Sequence, residues 1–155
     1  MSSDQEIFRR LAVESRLLED AANDLQSRIN LTNAALTELR VSSMTLEGLE
    51  KEKKDAQIFV PIGAGSYVKA RLETAKKVVV GIGADVAVEK TVKETKEMLD
   101  ARIVELEKTR DALGQQFSQV IGRIQENRGR LESISAKLRE EGEKASGVRK
   151  AKKGA

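Results

Sequence analysis

The sequence has no cysteine, histidine or tryptophan, and its 155 residues include one proline, three phenylalanines and one tyrosine. Without cysteine or histidine, the chain has no disulfides, no thiol redox chemistry, none of the usual zinc ligands and few of the nucleophile–base pairs that enzymes use. Because a compact globule relies on aromatic side chains to fill its core, this composition favours an elongated helical protein. We therefore predict a protein that is not an enzyme and uses no cofactor or metal.

The charge is spread unevenly along the chain. The sequence has 28 basic and 25 acidic residues, and segment 144–155 holds five bases and no acid. We expect this segment to be a disordered basic tail after a single domain over residues 1–143. Its charge could attract RNA, but it has no aromatic residue for base stacking, so we expect no nucleic-acid partner. With no long apolar run and a charged N-terminal segment, we expect a cytoplasmic protein without membrane contact.

Two heptad repeats predict two long helices, over about 4–54 and about 92–141. Nine of the twelve a and d positions from Phe8 to Leu46 are apolar, as are eleven of the fourteen from Val92 to Leu138. A strict heptad keeps one narrow apolar stripe against a partner helix. Two helices of similar length around a short insert predict an antiparallel coiled coil.

The helix ends and the register of the coiled coil can also be predicted. Ser3 with Glu6, and Thr91 with Glu94, have the spacing of a capping box, and Gly142 is a suitable C-terminal stop. If the insert closes the helical hairpin, the numbers of facing residues sum to about 146. This register places two facing pairs in the seam, Glu50 with Lys96 and Phe8 with Leu138.

Between the helices, period-two alternation predicts four short strands, at 58–62, 66–72, 77–82 and 85–89, forming two β-hairpins. Gly63, Gly65 and Gly83 are the predicted turn residues, and Pro61 should lie at a sheet edge or at a strand end because it lacks an amide donor. The fold class is α+β, mainly α: a long antiparallel coiled-coil hairpin with two inserted β-hairpins. The Gly-x-Gly pairs resemble part of a dinucleotide-binding loop, but each leads into a strand and not a helix, so we interpret them as tight turns.

The predicted strands are apolar on both faces, and two small hairpins cannot cover all of that surface themselves. We therefore predict an obligate oligomer that assembles through its β region, with the helical hairpin projecting outward. The residues predicted to carry this assembly are Ile58, Val60, Tyr67, Val68, Val78, Val79, Val80, Val86 and Val88.

The opposite end of the predicted coiled coil is a second candidate site, because a frayed helix end can accept other apolar surfaces. The candidate residues, called the tip cluster here, are Ile7, Phe8, Leu11, Ile134 and Leu138. The same residues could instead simply close the seam. The distal half of the second helix contains three glycines, Gly114, Gly122 and Gly129. They either make this part of the helix flexible or are tolerated surface substitutions.

Segments 59–70 (FVPIGAGSYVKA) and 78–91 (VVVGIGADVAVEKT) resemble the two β-hairpins of the prefoldin alpha subunit, archaeal type. The flanking heptad helices extend this resemblance over nearly the whole chain. Asp85 departs from the family pattern, which often has a small residue in the second turn.

The resemblance implies a hexamer of two alpha and four beta-type subunits whose hairpins join into β-barrels. It further implies a holdase that captures unfolded proteins at its coiled-coil tips without ATP, prevents their aggregation and delivers them to a group II chaperonin. The alternative is a structural scaffold or filament that self-assembles through the same hairpins.

Overall fold

The computed structural model describes residues 3–154, apart from the side chain of Lys153, and has two long helices with two β-hairpins between them. The elements in chain order are α1 (Ser3–Glu50), β1 (Gln57–Gly63), β2 (Ser66–Arg71), β3 (Lys77–Gly83), β4 (Val86–Thr91) and α2 (Val92–Lys153). This confirms the predicted fold class. None of the helices in the described part of the chain is long and apolar enough to cross a bilayer.

The heptad repeats explain which faces of the helices are buried. All twelve predicted seam positions of α1 and all fourteen of α2 are buried or half-buried. Leu36 is the most enclosed, with 1% of its surface exposed, and Ile124 is a buried position on α2. A narrow apolar stripe, and not the intrinsic helix preference alone, therefore holds the helices in place.

The chain divides into two compact units, each of which contains a segment of both helices. Of the described residues, 3–30 and 111–154 form unit 1, and 31–110 form unit 2 with both hairpins. In unit 1 the Arg123 guanidinium donates to the Glu14 carboxylate at 2.7 Å. In unit 2 Arg40 donates to Glu107 at 2.6 Å. Lys96 lies closer to the start of α2 and pairs with the acids near the end of α1, so the helix segments of unit 2 run antiparallel.

The predicted register is correct near the hairpins only in part. Lys96 lies 4.0 Å from Glu50, as predicted, but it lies closer to Glu47, at 3.3 Å. Leu46 packs in one buried cluster with Val92 and Leu99. Leu46 therefore faces the helical turn around Lys96. The residue numbers of facing positions thus sum to about four less than the predicted 146.

The predicted pairing of Phe8 with Leu138 in unit 1 is wrong by about one helical turn. Phe8 lines a shallow cleft with Leu131, Ser135 and Arg139. An antiparallel partner reverses the order of a and d positions, so an a residue such as Phe8 faces a d residue rather than another a residue.

The β region consists of two separate two-stranded antiparallel sheets. In hairpin 1 (β1–β2) Val60 pairs with Val68, and in hairpin 2 (β3–β4) Val80 pairs with Val88. All four predicted strands are present, with bounds that differ by one or two residues. Pro61 lies in a two-stranded sheet, where each strand is an edge, as its missing amide requires.

The capping box at the start of α2 is confirmed by two reciprocal hydrogen bonds. The Glu94 amide donates to the Thr91 hydroxyl, and the Thr91 amide donates to the Glu94 carboxylate, each at 3.1 Å. These bonds satisfy two backbone donors that a helix start leaves free, and they fix where hairpin 2 passes into α2.

The helix ends differ from the prediction. α1 ends at Glu50 and not near Lys54, and α2 continues through Gly142 to Lys153, where a disordered tail was predicted. Every described side chain from Arg139 to Lys152 is exposed, so packing does not hold this extension. It is rich in Ala, Lys, Arg and Glu, it offers i,i+4 pairs such as Glu140 with Lys144, and its terminal bases complement the helix dipole. These local effects outweigh the cost of about 1 kcal/mol for a helical glycine.

Candidate functional site: exposed hairpins and a helix end

Hairpin 2 has one face toward the helices and one face toward solvent. Val78 packs against the buried cluster of Leu46, Val92 and Leu99. Because side chains alternate along a strand, Val79 lies on the opposite face, where 74% of its surface is exposed. The outer face is therefore apolar and uncovered in the single chain.

The residues predicted to carry assembly fall into two groups by exposure. Five of them, Val60, Tyr67, Val68, Val79 and Val86, are exposed, and the other four, Ile58, Val78, Val80 and Val88, are half-buried. Three further exposed apolar side chains were not in the predicted set: Phe59, Ile62 and Ile82. The sequence could have indicated these three residues, because the strands are apolar on both faces.

The hairpins have two kinds of unsatisfied surface. One is the exposed apolar area, and the other is the outer edge of every strand, because each sheet has only two strands. An uncovered edge presents backbone donors and acceptors that another strand can pair with, and two-stranded sheets alone are marginally stable in water. This arrangement suits assembly with other chains.

The two turns have nearly the same backbone. Gly63 and Gly83 have φ values of 108° and 109°, and Ala64 and Ala84 have φ values of 50° and 48°. At the next position Gly65 has φ 73°, whereas Asp85 has φ 57°. The second turn therefore keeps the geometry of the first although Asp85 replaces a glycine, because aspartate tolerates the left-handed region better than most residues.

The tip cluster lies in unit 1, where its members differ in exposure. Leu11 is 3% exposed and Ile7 is 36% exposed, while Phe8, Ile134 and Leu138 are half-buried. Leu11 thus closes the seam, and an apolar partner would reach it only if the helix end frayed. Ile7 and the cleft beside Phe8 are accessible without any opening.

Two features of unit 1 lie outside the sites predicted from the sequence. Val13 and Leu17 are exposed apolar residues four positions apart on α1. Both occupy outer heptad positions, where a charged residue is usual. Their apolar character at these positions was the feature of the sequence that could have identified them. In the seam itself, the Ser15 hydroxyl and the Asn127 amide nitrogen are buried and have no hydrogen-bond partner among the described residues.

The chain is similar in sequence and in structure to known proteins. The family described as "Prefoldin subunit" matches residues 18–137. Prefoldin subunit alpha 1 of Thermococcus kodakarensis is 36% identical over 105 residues, which are 68% of this chain and 72% of the relative. Prefoldin subunit alpha of Methanobrevibacter smithii is 31% identical over 134 residues, 84% of this chain and 91% of the relative.

A solved structure described as filamentous PFD from Methanocaldococcus jannaschii matches with a TM-score of 0.64 and 25% identity, covering 73% of this chain and 94% of that one. The matched family range ends before Leu138 and begins after Leu11, so it leaves most of the tip cluster outside. It includes both hairpins and most of the two helices. The chain therefore belongs to the prefoldin family, in its archaeal alpha class.

Proposed function

We propose that this chain is a subunit of an ATP-independent holdase that captures unfolded proteins at the tip cluster and is assembled through its hairpins. The observation that carries the proposal is the separation of two apolar surfaces along the chain. One is on the hairpins, around Val79 and Tyr67, and the other is at the end of the helix pair in unit 1, around Ile7 and Phe8.

The small size of the tip cluster fits capture and release without a nucleotide. Ile7 and the cleft at Phe8 offer few exposed apolar atoms, so one tip binds an unfolded chain weakly and reversibly. Several tips in one assembly raise the effective concentration of the second and later contacts, which gives useful avidity. Weak individual contacts then permit release to a second chaperone.

The partners in this proposal follow the family. The hairpins join those of beta-type prefoldin subunits in a hexamer of two alpha and four beta chains, and the assembly works in the cytoplasm. It passes its clients to a group II chaperonin. Binding and release by surface contacts require no catalytic residue or cofactor.

A second candidate function is a scaffold or filament built from this chain alone. The observation behind it is that every strand of the two hairpins has an open edge, and the similarity to a structure described as filamentous is compatible with it. Exposed strand edges can pair repeatedly when the geometry does not close. The two functions differ in whether a beta-type subunit limits the size of the assembly.

The tip assignment is tested with Phe8→Ser combined with Leu138→Ser, in a complex reconstituted with a beta-type prefoldin subunit. We expect an assembly of unchanged size that has lost most of its ability to delay aggregation of a denatured protein without ATP. A matched control makes the same number of apolar-to-serine changes in unit 2, with Leu31→Ser and Met44→Ser, residues that are 72% and 70% exposed. We expect this control to suppress aggregation normally.

The half-buried tip residues also contribute to packing, so a second variant separates binding from folding. Ile7→Ser changes an exposed side chain and should leave the circular dichroism spectrum unchanged while it weakens suppression. Suppression that is equal in the wild type and in both tip variants would refute the tip assignment.

A further inference from the structure

The C-terminal part of α2 runs past the start of α1. Phe8 lines its cleft with α2 residues between Leu131 and Arg139, so the described start of α1 at Ser3, five residues earlier, lies level with about residue 140 of its antiparallel partner. Segment 140–153, called the α2 extension here, therefore has no facing helix in the described part of the chain. At 1.5 Å per residue it is about 20 Å long. It also lies outside residues 18–137, the range that the family matches.

The heptad repeat of α2 continues into the α2 extension. Counting on from the d position Ile134 places Val148 at a d position, and Ala145 and Lys152 at a positions. Val148 therefore lies on the continuation of the stripe that α1 covers earlier in α2. Because no described helix faces it there, 61% of its surface is exposed. A seam position is the place where an apolar side chain of a partner packs, so this part of the stripe can receive one from another molecule.

Basic side chains surround this apolar position. Lys144 and Arg149 occupy the g and e positions that flank the seam, and Lys152 lies one helical turn beyond Val148. Val148, Arg149 and Lys152 line the same shallow cleft. After Glu143 the sequence contains no acid, and every described side chain in that part of the chain is exposed. The α2 extension therefore presents an apolar contact point within a cluster of positive charges.

The combination of one apolar position and several bases selects among possible partners. A second copy of the α2 extension carries the same charges and is repelled. A nucleic acid is attracted by the charges, but the extension has no aromatic ring on which a base could stack. A protein segment with an apolar side chain between carboxylates matches both features. Its apolar side chain packs on Val148, and its carboxylates pair with Lys144 and Arg149.

We propose that the α2 extension binds acidic segments of unfolded proteins, with an apolar side chain of the segment on Val148 and its carboxylates beside the neighbouring bases Lys144, Arg149 and Lys152. The proposal rests on the proposed holdase and adds a substrate class to it, because a chain with this surface favours acidic clients over basic ones. The extension begins next to Arg139, which lines the cleft of the tip cluster, so one client can contact both surfaces. The contacts are exposed, so salt screens them and the preference is largest at low ionic strength.

Two labelled peptides test the charge preference on the full chain by fluorescence anisotropy. In one peptide leucines are flanked by glutamates, and in the other every glutamate is replaced by glutamine. We expect the glutamate peptide to bind about tenfold more tightly at low salt, since three exposed ion pairs contribute a modest amount each, and equally tightly at high salt. A triple glutamine variant should remove the preference: Lys144→Gln, Arg149→Gln and Lys152→Gln. The matched control changes three exposed bases after α1 and should keep the preference: Lys51→Gln, Lys53→Gln and Lys54→Gln.

A second pair of variants tests the apolar contact separately from the charges. Val148→Ala removes apolar atoms without weakening the helix, because alanine is the better helix former. We expect it to bind the glutamate peptide about threefold more weakly, and we expect Val148→Leu to bind at least as tightly as the wild type. Val13→Ala is the matched control, because Val13 is also 61% exposed but lies on α1. It should leave peptide binding unchanged. Circular dichroism checks that all of these variants keep their helix content.

Aggregation assays on the complex with a beta-type prefoldin subunit connect this surface to the proposed holdase. We expect the triple glutamine variant to protect a denatured basic protein normally and a denatured acidic protein less well. Equal binding of the two peptides to the wild-type chain would overturn the proposal, as would tighter binding of an oligouridylate than of the glutamate peptide. A normal peptide preference in a complex that protects neither client would count against the holdase and leave the binding surface standing.

Discussion

The buried amide of Asn127 gives a stability prediction with a definite sign. Its side chain occupies a d position of α2 with 5% of its surface exposed, and its nitrogen has no hydrogen-bond partner in the part of the chain that the structure describes. A buried polar group without a partner costs about 1–3 kcal/mol. Asn127→Leu removes this cost and adds an apolar side chain to the seam. We therefore expect a stabilisation of about 2 kcal/mol.

The assay is thermal and urea unfolding followed by the helical circular dichroism signal. For a chain of this size, 2 kcal/mol corresponds to a rise in melting temperature of about 4–8 °C. Asn23→Leu is the matched control, because Asn23 is exposed on α1. It should change the free energy of unfolding by less than about 0.5 kcal/mol.

The same variant connects stability to the tip cluster. A polar residue in a coiled-coil seam fixes the register at a cost in stability, and it weakens the layer beside it. Replacing Asn127 should therefore reduce fraying at the end of unit 1, seen as slower amide exchange around Leu11. A lower melting temperature in Asn127→Leu would refute the reasoning, since it would show that the amide is satisfied in the folded protein.

Two further predictions concern glycine positions. Asp85→Gly should stabilise hairpin 2 by about 1 kcal/mol, because aspartate there has φ 57°, and the converse Gly65→Asp should destabilise hairpin 1 by a similar amount. Amide hydrogen exchange of each hairpin measures both effects. Equal exchange in the wild type and the two variants would contradict the turn argument. Gly122→Ala with Gly129→Ala should stabilise α2 by about 2 kcal/mol in urea unfolding, because neither glycine has a neighbour that a Cβ would meet. Aggregation suppression that survives this change would favour tolerated substitutions over a softness that the function needs.

Much of the fold follows from the sequence because its main signals are local and periodic. Every seam position that the heptads predicted is buried or half-buried, and Thr91 with Glu94 identified the start of α2. Strand alternation with Gly63 and Gly83 identified the two hairpins. These features depend on residues a few positions apart, where side-chain geometry decides the outcome.

The predictions were wrong where contacts between distant parts of the chain, or small differences in free energy, determine the structure. The pairing of Phe8 depended on how a and d positions meet in an antiparallel pair, which the repeat alone does not show. The predicted stop at Gly142 gave one glycine more weight than the many good helix formers after it. The exposed faces of the hairpins needed the observed register, since only that pairs Pro61 with Tyr67 and Gly81 with Ala87.

The central claim is that neighbouring chains complete the β region, and the mass of the assembly in native mass spectrometry tests it most directly. Alone, the chain should be oligomeric at micromolar concentration, and Val79→Asp should abolish this while preserving helix content. With a beta-type prefoldin subunit, it should give one discrete complex with two copies of this chain and four of the partner. A stable monomer that ignores the beta-type subunit would contradict the account.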